Sequence, residues 1–164
     1  MKKKRIVIFL IALNLILLSI FMINTKTYAD EQISVIAETN SSIEQGSSAY
    51  CYVKISSLEN VSSINISVYF DSDKIEVMNT YNQVSASLYD SSINDDNVNY
   101  SYIFDGNGEA TETSLFYFYY KVKDDSALGN TYFDIIVTDA IDSSLNELNV
   151  IGNRCNINVI EKKV

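Results

Sequence analysis

From Ser63 to Phe70 the chain alternates without a break. Ile64, Ile66, Val68 and Phe70 are apolar, and Asn65, Ser67 and Tyr69 stand between them. Successive side chains of a strand point to opposite sheet faces, so a period of two demands a strand with one face buried. The same signal, with β-branched and aromatic enrichment, recurs over 33–37, 49–55, 74–78, 98–104, 115–123, 131–138 and 155–161, and weakly over 146–150. Turns separate these segments at Gln45-Gly46, Asp105-Gly106-Asn107-Gly108, Leu128-Gly129-Asn130 and Ile151-Gly152-Asn153. Residues 81–97 are polar and read as a long loop with one short turn of structure. No stretch sustains a helical period. Nine short strands predict an all-β, two-sheet sandwich around one core.

The N-terminus follows another logic. Met1-Lys2-Lys3-Lys4-Arg5 is a positive cluster, and residues 6–23 are apolar except for Asn14 and Ser19. Thr27 and Ala29 then place small residues third-from-last and last before a cut. Residues 1–29 therefore read as a secretory signal peptide and 30–164 as the exported domain. An uncleaved anchor is the alternative, since the apolar run is nearly long enough to span a bilayer. Both readings put the domain outside the cell.

Cleavage would remove 29 of 164 residues, leaving 135, the size of one domain. Five of the 12 basic residues would go and all 21 acidic ones would stay, giving 7 − 21 = −14. Such a charge keeps an exported domain soluble and opposes nucleic acid or an anionic membrane as partner. Cys51 and Cys155 both stand in the apolar phase of predicted strands. They read as buried thiols acting as small hydrophobes, with a bridge as the alternative that an oxidising exterior permits.

Catalysis is poorly served. The sequence has no His, which removes His-dependent acid–base chemistry and His metal sites. Asp71/Asp73, Asp95/Asp96 and Asp124/Asp125 are paired carboxylates at strand ends or turns, where solvated Asp is common. A Ca²⁺ site over Asp90 to Asp96 would need oxygen ligands, but Asp95-Asp96-Asn97 lacks EF-hand spacing and its Gly. The expectation is a binding protein with no catalytic residues, no metal and no cofactor.

Three segments, taken in order, resemble a cohesin domain. The first ends Tyr69-Phe70-Asp71-Ser72-Asp73-Lys74-Ile75-Glu76-Val77, a strand running into aromatic-Asp, a short turn and apolar-Glu-Val. The second is Tyr120-Lys121-Val122-Lys123 followed by Asp124-Asp125-Ser126-Ala127-Leu128-Gly129. The third runs from Phe133 through Thr138-Asp139-Ala140-Ile141-Asp142 to Ile157 and Val159. Where the family pattern often has Pro after the aromatic-Asp, Ser72 stands here. The resemblance implies a nine-stranded flattened sandwich of jelly-roll topology. It also implies a receptor that holds a dockerin module, usually carried by a secreted polysaccharide-degrading enzyme. It further implies that the sheet containing the third, fifth, sixth and eighth strands carries the partner.

Alternation gives the facing of that sheet. Ile64, Ile66, Val68, Phe70, Val98, Tyr100, Tyr102, Phe104, Phe116, Phe118, Tyr120 and Val122 are assigned inward. Ser63, Asn65, Ser67, Tyr69, Asn99, Ser101, Ile103, Leu115, Tyr117 and Tyr119 are assigned outward as the partner-binding set. A merely solvated face would carry Lys and Glu, whereas this set mixes aromatic and aliphatic anchors with small uncharged polar groups, as interface cores do. In the resemblance, Ser63 and Asn65 fall where the family places polar contacts to dockerin. A Tyr-rich face held by cross-strand pairs is the plainer alternative. The same tyrosines could stack on sugar rings, so direct carbohydrate binding is the second candidate function; a structural cell-surface protein is the third. The expected partner is a dockerin-like module of a secreted protein, with polysaccharide as the other candidate, and neither nucleic acid nor, after cleavage, membrane. If residues 1–29 are a signal peptide, Edman sequencing of the protein from culture supernatant will begin at Asp30; a chain retained on cells with an intact Met1 end would mean an anchor.

Overall fold

The computed structural model describes residues 32–105, 108 and 111–163. The predicted signal peptide, and Gly106 and Asn107 of one predicted turn, lie outside the described residues. Eleven strands form: β1 Ile33–Glu38, β2 Ser42–Glu44, β3 Ser48–Ile55, β4 Ser63–Phe70, β5 Ile75–Asn82, β6 Leu88–Ile93, β7 Asn97–Ile103, β8 Thr113–Val122, β9 Gly129–Ile141, β10 Val150–Gly152 and β11 Arg154–Ile160. They make a five-stranded sheet, β10-β1-β3-β8-β5, and a six-stranded sheet, β2-β11-β9-β4-β7-β6. Pairing is antiparallel except where the short β10 and β2 add in parallel to β1 and β11. The expected all-β sandwich is present. Among the described residues no helix is long and apolar enough to cross a membrane.

The expected count of nine strands is corrected to eleven. The segment read as a loop over 81–97 contains the end of β5 and the whole of β6. Strand β6 escaped because it is an edge strand: it pairs only with β7 and five of its six residues are exposed, so no burial pattern marks it. β5 runs on past Met78 because Thr80 and Asn82 turn toward the core with polar rather than apolar side chains. The predicted strand over 146–150 is displaced to β10. Before β10, Asp142 organises a turn in which its Oδ1 accepts the backbone N–H of Ser144 at 2.7 Å and of Asn146 at 2.9 Å.

Two turns use glycine as expected. Gly46 and Gly129 have φ of +73° and +99°, the left-handed region that a side chain disfavours. Gly152 serves a different need: a Cβ there would stand 2.1 Å from the carbonyl oxygen of Ile135 on β9, so only glycine lets β10 pass this close.

The core lies between the sheets. Val53, Ile55, Phe116, Phe118, Tyr120 and Val122 from one sheet meet Ile64, Ile66, Val68, Val98, Tyr100, Tyr102 and Phe133 from the other, all essentially buried. Tyr100 stacks on Phe116 at 4.0 Å, and Phe133 packs edge-on against Phe118 and Tyr120 at 4.9 and 5.0 Å. Cys51 is buried, Cys155 half-buried, and the two are not bonded to each other.

Three buried phenols need partners, because a hydroxyl desolvated without one costs about 1–3 kcal/mol. Tyr102 donates to the carbonyl of Leu115 at 3.0 Å and to Asn82 Oδ1 at 3.1 Å. Thr80 Oγ1 donates to the Tyr100 hydroxyl at 2.9 Å, and the Tyr120 hydroxyl shares a 2.9 Å bond with Thr39 Oγ1. Burial pushes all three phenols above the ordinary tyrosine value, Tyr120 to about 12. Each therefore holds its proton more tightly folded than unfolded. Their contribution to stability is complete below the unfolded value near 10 and is lost as pH rises from there through the folded values. The urea midpoint should hold up to about pH 9 and fall from about pH 10 upward, more gently in Tyr102→Phe; a midpoint unchanged well beyond that range would mean that the phenols are not sealed in the core.

Candidate partner-binding faces

Directly opposed residues of paired strands point the same way, so register defines each outward face. On the six-stranded sheet, Ser63, Asn65, Ser67 and Tyr69 of β4 oppose Ile103, Ser101, Asn99 and Asn97 of β7. On β6, Leu88, Asp90 and Ser92 oppose Ile103, Ser101 and Asn99 in turn. On the other side, β9 brings Ile136 opposite Ser67 and Asp134 opposite Tyr69. Seven of the ten assigned residues thus share one face: Ser63, Asn65, Ser67, Tyr69, Asn99, Ser101 and Ile103.

The other three do not join them. Strand β8 belongs to the five-stranded sheet, so Leu115, Tyr117 and Tyr119 lie across the core from the rest. Unrecognised β6 is the reason: without it, β8 took the place in the strand count that belongs to β7. Leu115 is also corrected from outward to fully buried. The pairing of β3 with β8 shifts register there, Val53 opposing Phe116 and Lys54 opposing Ser114. Leu115 is the extra residue of this bulge, and both it and Phe116 turn into the core.

Half of the six-stranded face is internally satisfied. Ser67 Oγ donates to Asn99 Oδ1 at 2.7 Å, and Asn99 Nδ2 donates to Asn97 Oδ1 at 3.0 Å and Ser92 Oγ at 3.3 Å. This row ties β4, β7 and β6 together and spends its polar groups. Near Tyr69, Arg154 pairs with Asp134 at 2.5 Å and lies 4.4 Å over the Tyr132 ring, and the guanidinium holds the Asp134 carboxyl below the usual range.

The other half is open. Leu88 is 62% and Ile103 50% exposed, side by side across β6 and β7. Ser63, Asn65, Asp90 and Ser101 surround them at a shallow depression of about 230 Å³. The Ser63, Asn65 and Ser101 side chains make no hydrogen bond among the described residues. Leu88 and Asp90 were absent from the sequence-based set. The signal for them was the faint alternation of Leu88, Asp90 and Ser92 with Tyr89, Ser91 and Ile93.

Two of the three carboxylate pairs have members held in local contacts. Asp71 Oδ1 accepts the Asp73 backbone N–H at 3.1 Å within a turn, and Asp124 pairs with Lys121 at 2.7 Å, which lowers its pKa. Among the described residues no group of three His, Cys, Asp or Glu side chains comes together as a metal site.

No protein-family model and no curated protein matches the sequence. Solved structures do match the fold. A type I cohesin from Pseudobacteroides cellulosolvens is 10% identical with a TM-score of 0.70, over 81% of this chain and 95% of that one. A non-cellulosomal cohesin from the archaeon Archaeoglobus fulgidus is 19% identical with a TM-score of 0.65, over 79% and 92%. A chain of a type I cohesin–dockerin complex from Clostridium thermocellum is 17% identical with a TM-score of 0.66, over 85% and 100%. The fold is therefore a cohesin-type jelly-roll sandwich.

The bulge has a direct consequence. Leu115→Ala should cost about 2–5 kcal/mol of unfolding free energy, as for a core leucine, and Ile103→Ala less than about 1. Equal, small losses in urea titrations would return Leu115 to the surface.

Proposed function

We propose that this chain is a secreted, non-catalytic receptor module that captures a dockerin-like module of another secreted protein, within a polysaccharide-degrading system. The observation that carries this reading is the open half of the six-stranded face. Two exposed aliphatic side chains stand among four small polar ones, with no basic residue between them. Binding energy concentrates where apolar anchors sit beside unsatisfied polar groups that a partner can complete. Leu88 and Ile103 are the anchors. Ser63, Asn65, Ser101 and Asp90 supply hydrogen bonds, and Ser67, Asn99 and Tyr69 extend the face.

The strand count supports the same face. With the three-residue β2 and β10 set aside, nine strands remain, and the third, fifth, sixth and eighth are β4, β6, β7 and β9. They lie side by side in the order β9-β4-β7-β6. This is the set that the cohesin resemblance assigns to the partner, reached once β6 is counted. Several matching structures are cohesin–dockerin complexes. Export follows from the signal-peptide reading of residues 1–29.

A pull-down from the producing organism's secretome with the mature chain should recover a dockerin-bearing protein. Ile103→Asp with Leu88→Asp should weaken capture at least about thirtyfold, the scale of losing one hot spot, while Tyr52→Ala should leave it unchanged. Recovery of the same partner by the Ile103/Leu88 variant would overturn the assigned face.

A further inference from the structure

The five-stranded sheet carries an aromatic surface on the side away from the core. Register places Tyr52 of β3, Tyr117 of β8 and Tyr81 of β5 in one row across three strands, with Tyr50 and Tyr119 in the next. Tyr117 is the hub: its ring centroid is 5.6 Å from Tyr50, 5.4 Å from Tyr52 and 4.8 Å from Tyr81, and Tyr50 lies 5.0 Å from Tyr119. Tyr50 is 49%, Tyr52 41% and Tyr81 41% exposed.

We propose that these five tyrosines form a second binding site, on the sheet opposite the partner-capturing face, that takes a chain of neutral sugar residues. The proposal does not rest on dockerin capture. Three observations select this occupant.

The first is charge. Nothing charged stands inside the cluster. The nearest basic groups are spent, Lys54 on Glu38 at 2.6 Å and Glu112 at 3.2 Å, and Lys121 on Asp124 at 2.7 Å. A chain of net charge −9 repels an anionic polymer, and the carboxylate beside the cluster, Glu38 opposite Tyr52 on β1, is already paired with Lys54.

The second is area. Taking about 200 Å² for each tyrosine, the exposed rings offer roughly 300–400 Å². Two copies packed face to face would bury roughly 600–800 Å² in all, short of the about 1,200 Å² that stable protein interfaces need. A sugar chain laid along the rings does not require a broad surface.

The third is hydrogen bonding. The Tyr81 hydroxyl accepts from Asn79 Nδ2 at 2.8 Å, but the hydroxyls of Tyr50, Tyr52, Tyr117 and Tyr119 make no hydrogen bond among the described residues. Four free phenols beside apolar ring surface match the alternation of C–H faces and hydroxyls on pyranose rings.

Native affinity electrophoresis of the chain as secreted would use gels containing hydroxyethylcellulose, mixed-linkage β-glucan, xylan or soluble starch, with polygalacturonate as the anionic control. Retardation is expected in at least one neutral glycan and not in polygalacturonate. The Tyr52→Ala/Tyr81→Ala variant should bind at least tenfold more weakly, and Ile103→Asp as well as the unsubstituted chain. Should the double variant fail to fold, tyrosine fluorescence of the unsubstituted chain decides instead. With no Trp in the sequence, all its emission is from tyrosine, so the retarding glycan should produce a saturable change. Absence of retardation in every neutral glycan, absence of that change, or equal retardation of the folded tyrosine variant would overturn the proposal. A dimer in sedimentation velocity that the tyrosine variant abolishes would also overturn it, by assigning the face to a second copy.

Discussion

The two sheets are joined by phenol hydroxyls as well as by apolar contact. Tyr100 and Tyr102 belong to β7 of the six-stranded sheet, yet their hydroxyls bond to Thr80, Asn82 and the Leu115 carbonyl, all on strands of the other sheet. A tyrosine can be buried this deeply only if something waits for its hydroxyl. That requirement explains features that otherwise look unrelated. Thr80 and Asn82 are polar residues turned inward on β5, and β8 passes Leu115 with its carbonyl in reach of Tyr102. Apolar burial alone would let one sheet slide over the other; these directional bonds fix the position of β7 against β5 and β8.

Once the sheets are fixed, the outward faces are fixed too, and they differ in character. The six-stranded face is a row of short polar side chains, partly consumed by its own Ser67–Asn99–Ser92 bonding, with an open end around Leu88 and Ile103. The five-stranded face is aromatic and uncharged at its centre and ion-paired at its border. The two faces therefore offer different groups to a ligand: small polar and aliphatic side chains on one, aromatic rings on the other. Their separation by the full thickness of the core means that occupation of one need not obstruct the other.

Much of the architecture was legible in the sequence because alternation reports burial. Wherever one face of a strand meets the core and the other meets water, as in β3, β4, β7 and β8 from Phe116 onward, hydrophobic period and facing agree with the structure. The misread segments share one physical cause. Strand β6 is an edge strand exposed on nearly all sides, and the end of β5 turns polar residues inward to serve buried phenols. Neither carries the apolar alternation that marks a half-buried strand. Leu115 was misplaced because a bulge resets the alternation by one residue, and a bulge is a property of two paired strands rather than of either alone.

By itself the sequence determined the fold class, the absence of histidine chemistry, the strongly acidic composition and, for the strands with clean alternation, which residues leave the core. These are local quantities, set by side-chain type and a period of two. Only the tertiary structure decided which strands became neighbours. That choice separated Tyr117 and Tyr119 from Ser63 and Asn65, brought Leu88 beside Ile103, and gathered tyrosines from β3, β5 and β8 into one cluster. Strand order rests on long-range pairing, and a period of two looks the same whichever sheet a strand enters.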